Sequence, residues 1–310
     1  MSIAFLFPGQ GSQVPGMLHA LPDHPAITRT LDQVSECLDA DIRELDSEEA
    51  LQSSVSVQLA LLACGVSMAR ALVEEGVEPE AAAGLSVGAF AAAALCGVVS
   101  LSDAVRLVRQ RAEMMVQLYP AGYRLAAIVG LSEIQVSKLV EEAYTERAPV
   151  YVGNINAPRQ IVIAGSDEGI RKVLEAARKS GARKAEELHV SVPSHCPLLE
   201  PVAEALRESL DKMNLQSPNY VYVGNVNART LRTSDAIAED LASNVAHGVR
   251  WYDSVTVLKE LGCHLFLEMP PGHVLTQLAT ETVPGVQTLA LGETSLKHAL
   301  HVIARYSNPQ

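Results

Sequence analysis

The chain has 310 residues, enough to bury a large core, and that core is aliphatic: 48% of residues are hydrophobic but only 4% are aromatic. A formal charge of −12 would repel a phosphate backbone, and few rings are present to stack on bases, so a nucleic-acid binder is excluded. The start carries no basic, apolar leader, no uncharged apolar run is long enough to span a membrane, and the cysteines (Cys37, Cys64, Cys96, Cys196, Cys263) are scattered without metal-type pairs; a reduced, cytoplasmic, metal-free protein with no membrane partner is expected.

Ile3–Phe7 reads as a short buried strand that empties into Pro8-Gly9-Gln10-Gly11-Ser12-Gln13. This loop lacks the spacing and lysine of a nucleotide-binding P-loop. It is either a plain turn or one whose Gln10 amide and backbone N–H groups face a pocket. Helices are expected over 28–38 and 54–72, with Gln58 read as a satisfied core amide in the second. Then comes Gly84-Leu85-Ser86-Val87-Gly88, with small apolar residues before it and an alanine-rich helix former, 89–95, after it. The G-x-S-x-G pattern in a strand–turn–helix context is that of a nucleophile elbow. A serine at so sharp a corner crowds its neighbours two residues either way, which is why glycine is needed at both. The corner lifts the hydroxyl off the sheet and aims the first helical N–H groups at a space where an oxyanion could sit. The alternative is a chance match in a Gly/Ala/Ser-rich segment.

Ser102 and Asp103 read as the cap of a helix over 104–117. Arg111 falls on its packed side, between Val108 and Met114-Met115. A cation there needs an anion, either a protein carboxylate or a substrate carboxylate held in a bidentate fork. Pro120-Ala121-Gly122 then breaks the chain, and the rhythm changes. A strand at 124–129, a helix capped by Ser132, a hairpin of 150–154 and 160–165, a helix capped by Asp167 and a strand at 185–192 give the order β-α-β-β-α-β. That order is ferredoxin-like. Residues 122–192 are therefore expected to form a subdomain inserted into a core made of 1–121 and 193–310. Its second helix and exit carry Arg171, Lys172, Arg178, Lys179, Arg183 and Lys184, a basic stretch in an acidic chain. It is either a solvated face or a dock for an acidic protein or nucleotide phosphates.

Pro193-Ser194-His195-Cys196-Pro197 follows as a strand end and proline turn, which puts His195 at a rim. Among nine histidines it is the best placed to act as a base, and His189 is expected inside the preceding strand. Helices over 199–213, from 235 and from 250 alternate with strands over 221–226 and 265–269, and a helix over 295–306 closes the chain. Strands alternating with helices predict an α/β fold with a mostly parallel sheet.

Phe7–Gln13, the Ser86 elbow, Gln110-Arg111-Ala112-Glu113-Met114-Met115 and Pro193-Ser194-His195-Cys196 occur in this order, followed by Val249-Arg250-Trp251 and Pro271-Gly272-His273-Val274-Leu275. On these motifs the chain resembles the malonyl-CoA:acyl-carrier-protein acyltransferases over nearly its whole length. The resemblance implies an acyltransferase core of α/β-hydrolase-like type. It implies Ser86 as nucleophile and His195 as its base, a dyad whose imidazole is oriented by backbone carbonyls near Arg250. It further implies an oxyanion hole from the N–H groups of Gln10 and Val87, with Arg111 gripping the malonyl carboxylate and Leu85, Asn156 and Arg250 also at the substrate. Malonyl-CoA would be the donor, and the acceptor a phosphopantetheine-type arm on an acidic carrier protein, docking near Arg171, Lys172, Arg178, Lys179 and Arg183; no cofactor would be bound permanently. Within the family, Leu85 where histidine is usual, Ala89-Phe90 after the elbow and Met17-Leu18-His19-Ala20-Leu21-Pro22 look like the epsilon subunit of bacterial malonate decarboxylase. That likeness implies other decarboxylase subunits as partners. The alternatives are a transacylase of fatty-acid or polyketide synthesis and a serine hydrolase of acyl thioesters.

Overall fold

The structure is a computed structural model that describes residues 2–188, 190 and 192–307. From β1 (Ser2–Phe7) the chain passes through α1 (Pro25–Leu38) and α2 (Ser54–Glu74) to β2 (Ala81–Gly84), then through α3 (Gly88–Leu95) and α4 (Leu101–Leu118). An insert follows, made of β3 (Tyr123–Val129), α5 (Glu133–Ala143), β4 (Val150–Ala157), β5 (Gln160–Ser166), α6 (Asp167–Lys179) and β6 (Lys184–Glu187). The return leg is α7 (Glu200–Leu210), β7 (Val221–Val223), β8 (Thr230–Leu231), α8 (Ser234–Ser243), α9 (Trp251–Glu260), β9 (Cys263–Glu268), α10 (Val274–Thr282), β10 (Gln287–Ala290) and α11 (Leu296–Ser307).

The larger sheet has the order β10-β9-β1-β2-β7-β8, parallel throughout except for the β7–β8 pair. Period-two alternation sorts its side chains between two helical layers. Phe5, Phe7 and Ala82 pack on the α1–α4 side, whereas Ala4, Leu6, Ala81 and Ala83 pack with Trp251, Val255, Leu258 and Leu275 of α9 and α10. α2 is long and apolar enough to cross a membrane, contrary to the expectation that no run would be. Most of its apolar surface is buried in this core, between α1, α3 and α4. Phe7 and Gly84 are register partners at the carboxyl ends of β1 and β2. The Gly9–Gly11 loop and the Ser86 turn therefore leave the sheet side by side, at the edge where parallel α/β sheets bind ligands.

The insert is a four-stranded antiparallel sheet of order β4-β5-β3-β6. One face buries Ala126, Ile128, Ile161 and Ile163 under α5 and α6, while Leu125, Val162 and Ala164 on the other face join the main core. Two backbone hydrogen bonds tie it to the loop before α9, Ile155 N–H to Val249 O at 2.8 Å and Val249 N–H to Gly153 O at 2.9 Å.

Local signals differ in places from the sequence reading. Ser100 caps α4 by accepting the Asp103 N–H at 3.0 Å, and Ser166 caps α6 by accepting the Gly169 N–H at 3.2 Å. Asp103 and Asp167 sit inside the first turns, where their charge favours the helix dipole. The strand expected over 185–192 ends at Glu187, and His189 lies outside the described residues.

Candidate active site

The elbow is built by close approach. A Cβ on Gly84 would lie 2.0 Å from the Gly88 carbonyl oxygen, and one on Gly88 would lie 2.2 Å from that of Phe7. Only glycine fits either place; at Gly84 the crowding arises within the turn, as expected, but at Gly88 it comes from the end of β1 and not from the serine corner. Between them Ser86 is half-buried with φ of +56°, a left-handed conformation that costs a non-glycine residue about 1–2 kcal/mol. Asn225, just beyond β7, offsets that cost. Its Oδ1 accepts the Ser86 N–H at 2.9 Å and its Nδ2 donates to Gly84 O at 2.9 Å. Asn225 is itself held by buried Asp240 of α8, whose Oδ1 accepts the N–H groups of Asn225 (2.8 Å) and Val226 (3.2 Å) while Oδ2 accepts the Tyr222 hydroxyl (3.0 Å). Nothing in the sequence reading pointed to Asn225 or Asp240. The Val87 and Gln10 N–H groups donate to no group among the described residues, and the Gln10 side chain is tied to Ser54 Oγ at 3.1 Å.

Arg111 enters from α4. It is 1% exposed, yet no carboxylate among the described residues pairs with it. Nη1 donates to Gln58 Oε1 at 2.5 Å, Nη2 donates to Ser86 Oγ at 3.0 Å, and the buried Nε has no partner among the described residues. Burial pulls its pKa down to about 10. Of the two anions that the sequence left open, no protein carboxylate is found there among the described residues. Gln58 is more than a core amide, because it fixes the guanidinium from α2 while its own Nε2 faces Met115 Sδ at 3.8 Å.

His195 is 3% exposed, so the expectation of a rim position is corrected. The chain turns into the core there with φ of +66°, and the His195 N–H is held by Val245 O at 2.7 Å. Its Nδ1 lies 2.6 Å from Asn244 O. A carbonyl can only accept, so Nδ1 carries the proton and Nε2 keeps a free lone pair. Burial first, and then the charge of Arg111, push the imidazole down to about 3. Ser86 and His195 are thus both within reach of one guanidinium, the first by contact and the second by its field. The orienting carbonyl is that of Asn244, at the end of α8. Arg250 faces elsewhere: its guanidinium bonds Asp253 at 2.6 Å and Glu133 at 3.3 Å, pinning α9 to the insert.

A cleft of about 500 Å³ opens between the Pro8–Gln13 loop, Leu85, the insert sheet and Val274-Leu275. Asn154 and Asn156 line it from β4, both buried and both with Oδ1 unpartnered among the described residues. Asn156 is therefore at a ligand-sized cavity, as is Leu85. The basic stretch is largely compensated. Arg171 pairs with Glu175, Lys172 with Glu168 and Lys184 with Glu186, and Arg178 donates to Ala185 O. Lys179 and Arg183 make no ion pair among the described residues. No cluster of metal-ligating side chains occurs among the described residues.

The chain is 36% identical over 298 residues to the malonyl CoA-acyl carrier protein transacylase of Escherichia coli K12, covering 94% of this chain and 96% of that one. Its structure superposes on the malonyl CoA-acyl carrier protein transacylase from Coxiella burnetii with a TM-score of 0.94 at 32% identity, covering 99% and 98% of the two chains. It also superposes, with a TM-score of 0.92 at 33% identity and covering 99% and 100%, on a chain from a type II PKS acyl-carrier protein in complex with its malonyl-transacylase. Residues 4–295 match the acyl transferase domain family, and the chain, with its serine elbow and buried guanidinium, belongs to that family and is an acyltransferase.

Proposed function

We propose that this enzyme moves a malonyl group from malonyl-CoA, through an ester on Ser86, to the thiol of a phosphopantetheine-type arm on an acyl carrier protein. The observation that carries the reading is Arg111: a buried cation beside the serine, with no carboxylate partner among the described residues, suits an acyl group that brings one. An acetyl group would leave that cation unpaired, which is a strong basis for discrimination. Ser86 attacks the thioester carbonyl, and His195 Nε2 takes its proton and returns it to the departing thiolate. The Asn244 carbonyl fixes the tautomer this requires. The unengaged N–H groups of Val87 and Gln10 suit the tetrahedral oxyanion, and removing one such donor typically costs about 2.7–4 kcal/mol. The unpartnered Oδ1 atoms of Asn154 and Asn156 suit the amide N–H groups of a pantetheine arm lying in the cleft. In the second half-reaction a carrier thiol replaces CoA, so the kinetics are ping-pong.

The named relatives are transacylases, and one of them is seen with an acyl-carrier protein. They favour fatty-acid or polyketide synthesis over a malonate decarboxylase subunit, a reading that rests on Leu85 and the residues flanking the elbow. Five unpaired cysteines among the described residues suit a reducing cytoplasm.

Labelled malonyl-CoA mixed with the pure enzyme should leave a malonyl ester on the Ser86 peptide, and adding holo acyl carrier protein should discharge it onto the carrier. Ser86→Ala should abolish both steps. Rapid hydrolysis without a trapped ester would mean a hydrolase instead, and discharge only onto a decarboxylase carrier subunit would restore that assignment.

A further inference from the structure

Arg111 does more than wait for an anion, because it already holds the nucleophile. Nη2 donates to Ser86 Oγ at 3.0 Å and Nη1 is occupied by Gln58. Nε lies on the same edge of the guanidinium as Nη2 and is buried without a partner among the described residues. That edge is the one a carboxylate grips side-on, with two parallel N–H···O bonds. In the free enzyme its only occupant among the described residues is the serine hydroxyl.

Two consequences hold the serine back. An Oγ lone pair is directed at a cation and not at a carbonyl carbon, and a charge-assisted bond of this kind is stronger than a neutral one. Attack also turns His195 into an imidazolium, and the same guanidinium opposes positive charge there. A carboxylate on the Nε/Nη2 edge would reverse both. It would displace Oγ, satisfy Nε and cancel the charge that the imidazolium would otherwise meet.

We propose that Arg111 restrains Ser86 in the free enzyme and that the carboxylate of the incoming acyl group lifts the restraint, so that this carboxylate switches on the serine as well as anchoring the substrate. The idea rests on the malonyl-transfer reading and deepens it. The chemistry balances without any co-reactant: the Oγ–H bond breaks and the proton moves to His195 Nε2, Oγ bonds the acyl carbon, the C–S bond breaks, and the thiolate leaves with that proton. Selectivity would then reside in the rate of acylation as well as in binding.

Acetyl-CoA lacks the carboxylate, and formate can supply it separately. Burst-phase acylation of the wild-type enzyme is measured with acetyl-CoA and with malonyl-CoA, with formate or with sodium chloride at the same ionic strength. Formate should speed acetylation on the order of tenfold, the scale of one charge-assisted hydrogen bond. It should slow malonylation, because it competes for the same edge. Slowed malonylation with no gain in acetylation overturns the proposal, and so does equal acceleration of both. If formate affects neither, Arg111→Ala decides. Removal of the restraint should raise its acetylation rate above wild type, and an equal or lower rate overturns the proposal. Failure of malonyl-CoA to acylate Ser86 at all is a different result, which refutes the malonyl-transfer reading itself.

Discussion

Asn225 and Ser86 are far apart in sequence and joined in space by a 2.9 Å hydrogen bond from the serine N–H to the asparagine Oδ1. The other end of the same amide holds the Gly84 carbonyl, so the elbow is gripped at its strained residue and again two residues before it. α8 stands behind this grip at one point and behind His195 at another: Asp240 fixes Asn225, while Asn244, whose N–H donates to Asp240 O at 3.0 Å, offers its carbonyl to the imidazole. One helix therefore sets the placement of both proposed catalytic groups. Asn225→Ala should lower the acylation rate by about 10–100-fold while leaving the KM for malonyl-CoA nearly unchanged, because a misplaced nucleophile loses rate and not binding. Thermal unfolding should show a loss of about 1–3 kcal/mol from the unsatisfied Gly84 carbonyl and Ser86 N–H. A KM that rises in step with the lost rate would count against a positioning role.

The depressed His195 predicts an unusual pH profile. An ordinary histidine base titrates near 6.5, which would cut activity below neutrality, but burial and Arg111 take this imidazole to about 3. The acid limb of kcat/KM, which reports the free enzyme, should therefore fall well below pH 6.5. The limb of kcat should lie at higher pH, because a bound carboxylate neutralises Arg111. Coincident limbs near 6.5 would show that the imidazole is solvated and unaffected by the guanidinium.

The same group links folding to pH. The unfolded chain takes up a proton at His195 near pH 6.5 and the folded chain resists it, so the unfolded state binds more protons between that value and about 3. Stability must then fall as pH falls through this window, whereas above it the residue contributes no pH dependence. His195→Gln should flatten that part of the curve. Melting temperatures at pH 7 and pH 5 check it: the drop should be larger in the wild type than in the variant.

The parts of this site that were legible in the sequence are those fixed by local sterics. Gly84 is demanded by contact within one turn, whereas Gly88 is demanded by the close approach of the end of β1, and the turn itself is bounded by a strand and an alanine-rich helix. Arg111 could be flagged because a cation among apolar helix positions needs a partner wherever it lies. Its real partner, Gln58, and the clamp at Asn225 could not, since polar amides carry no periodic signal and these pairs form only when distant elements meet. β8 and β10 are too short for alternation to show. α10 lacks a local cap because its first N–H groups, at Leu275 and Thr276, are satisfied by buried Glu268 at the end of β9. The burial of His195 follows from a backbone turn with positive φ, which no side-chain pattern announces.

Gln58 offers a test of the guanidinium's support. Gln58→Leu keeps the volume but removes the Nη1 acceptor, leaving a buried cation with still fewer partners. Stability should drop by about 1–3 kcal/mol, as for other buried charged groups stripped of a hydrogen bond. The KM for malonyl-CoA should rise, because an unheld guanidinium presents its carboxylate edge less accurately. Unfolding curves together with malonyl-CoA and acetyl-CoA kinetics check both effects. If the acetyl-CoA rate suffers as much as the malonyl-CoA rate, Gln58 supports the core and not the fork.

Carrier docking can be separated from acylation on the basic edge of the insert. Arg171 and Lys172 are already neutralised by Glu175 and Glu168 along α6, so their replacement by glutamine should change little. Lys179 and Arg183 have no such partners among the described residues and sit at the exit of the helix into β6, a strand whose Glu186 and Glu187 line the cleft. Reversing both, as Lys179→Glu with Arg183→Glu, should raise the KM for an acidic carrier protein about tenfold at low salt, shrinking as ionic strength screens the surface. Acylation by malonyl-CoA in the absence of carrier should keep its rate. A carrier KM indifferent to both the reversal and the salt would mean that this face is merely solvated and that the carrier approaches the cleft from another side.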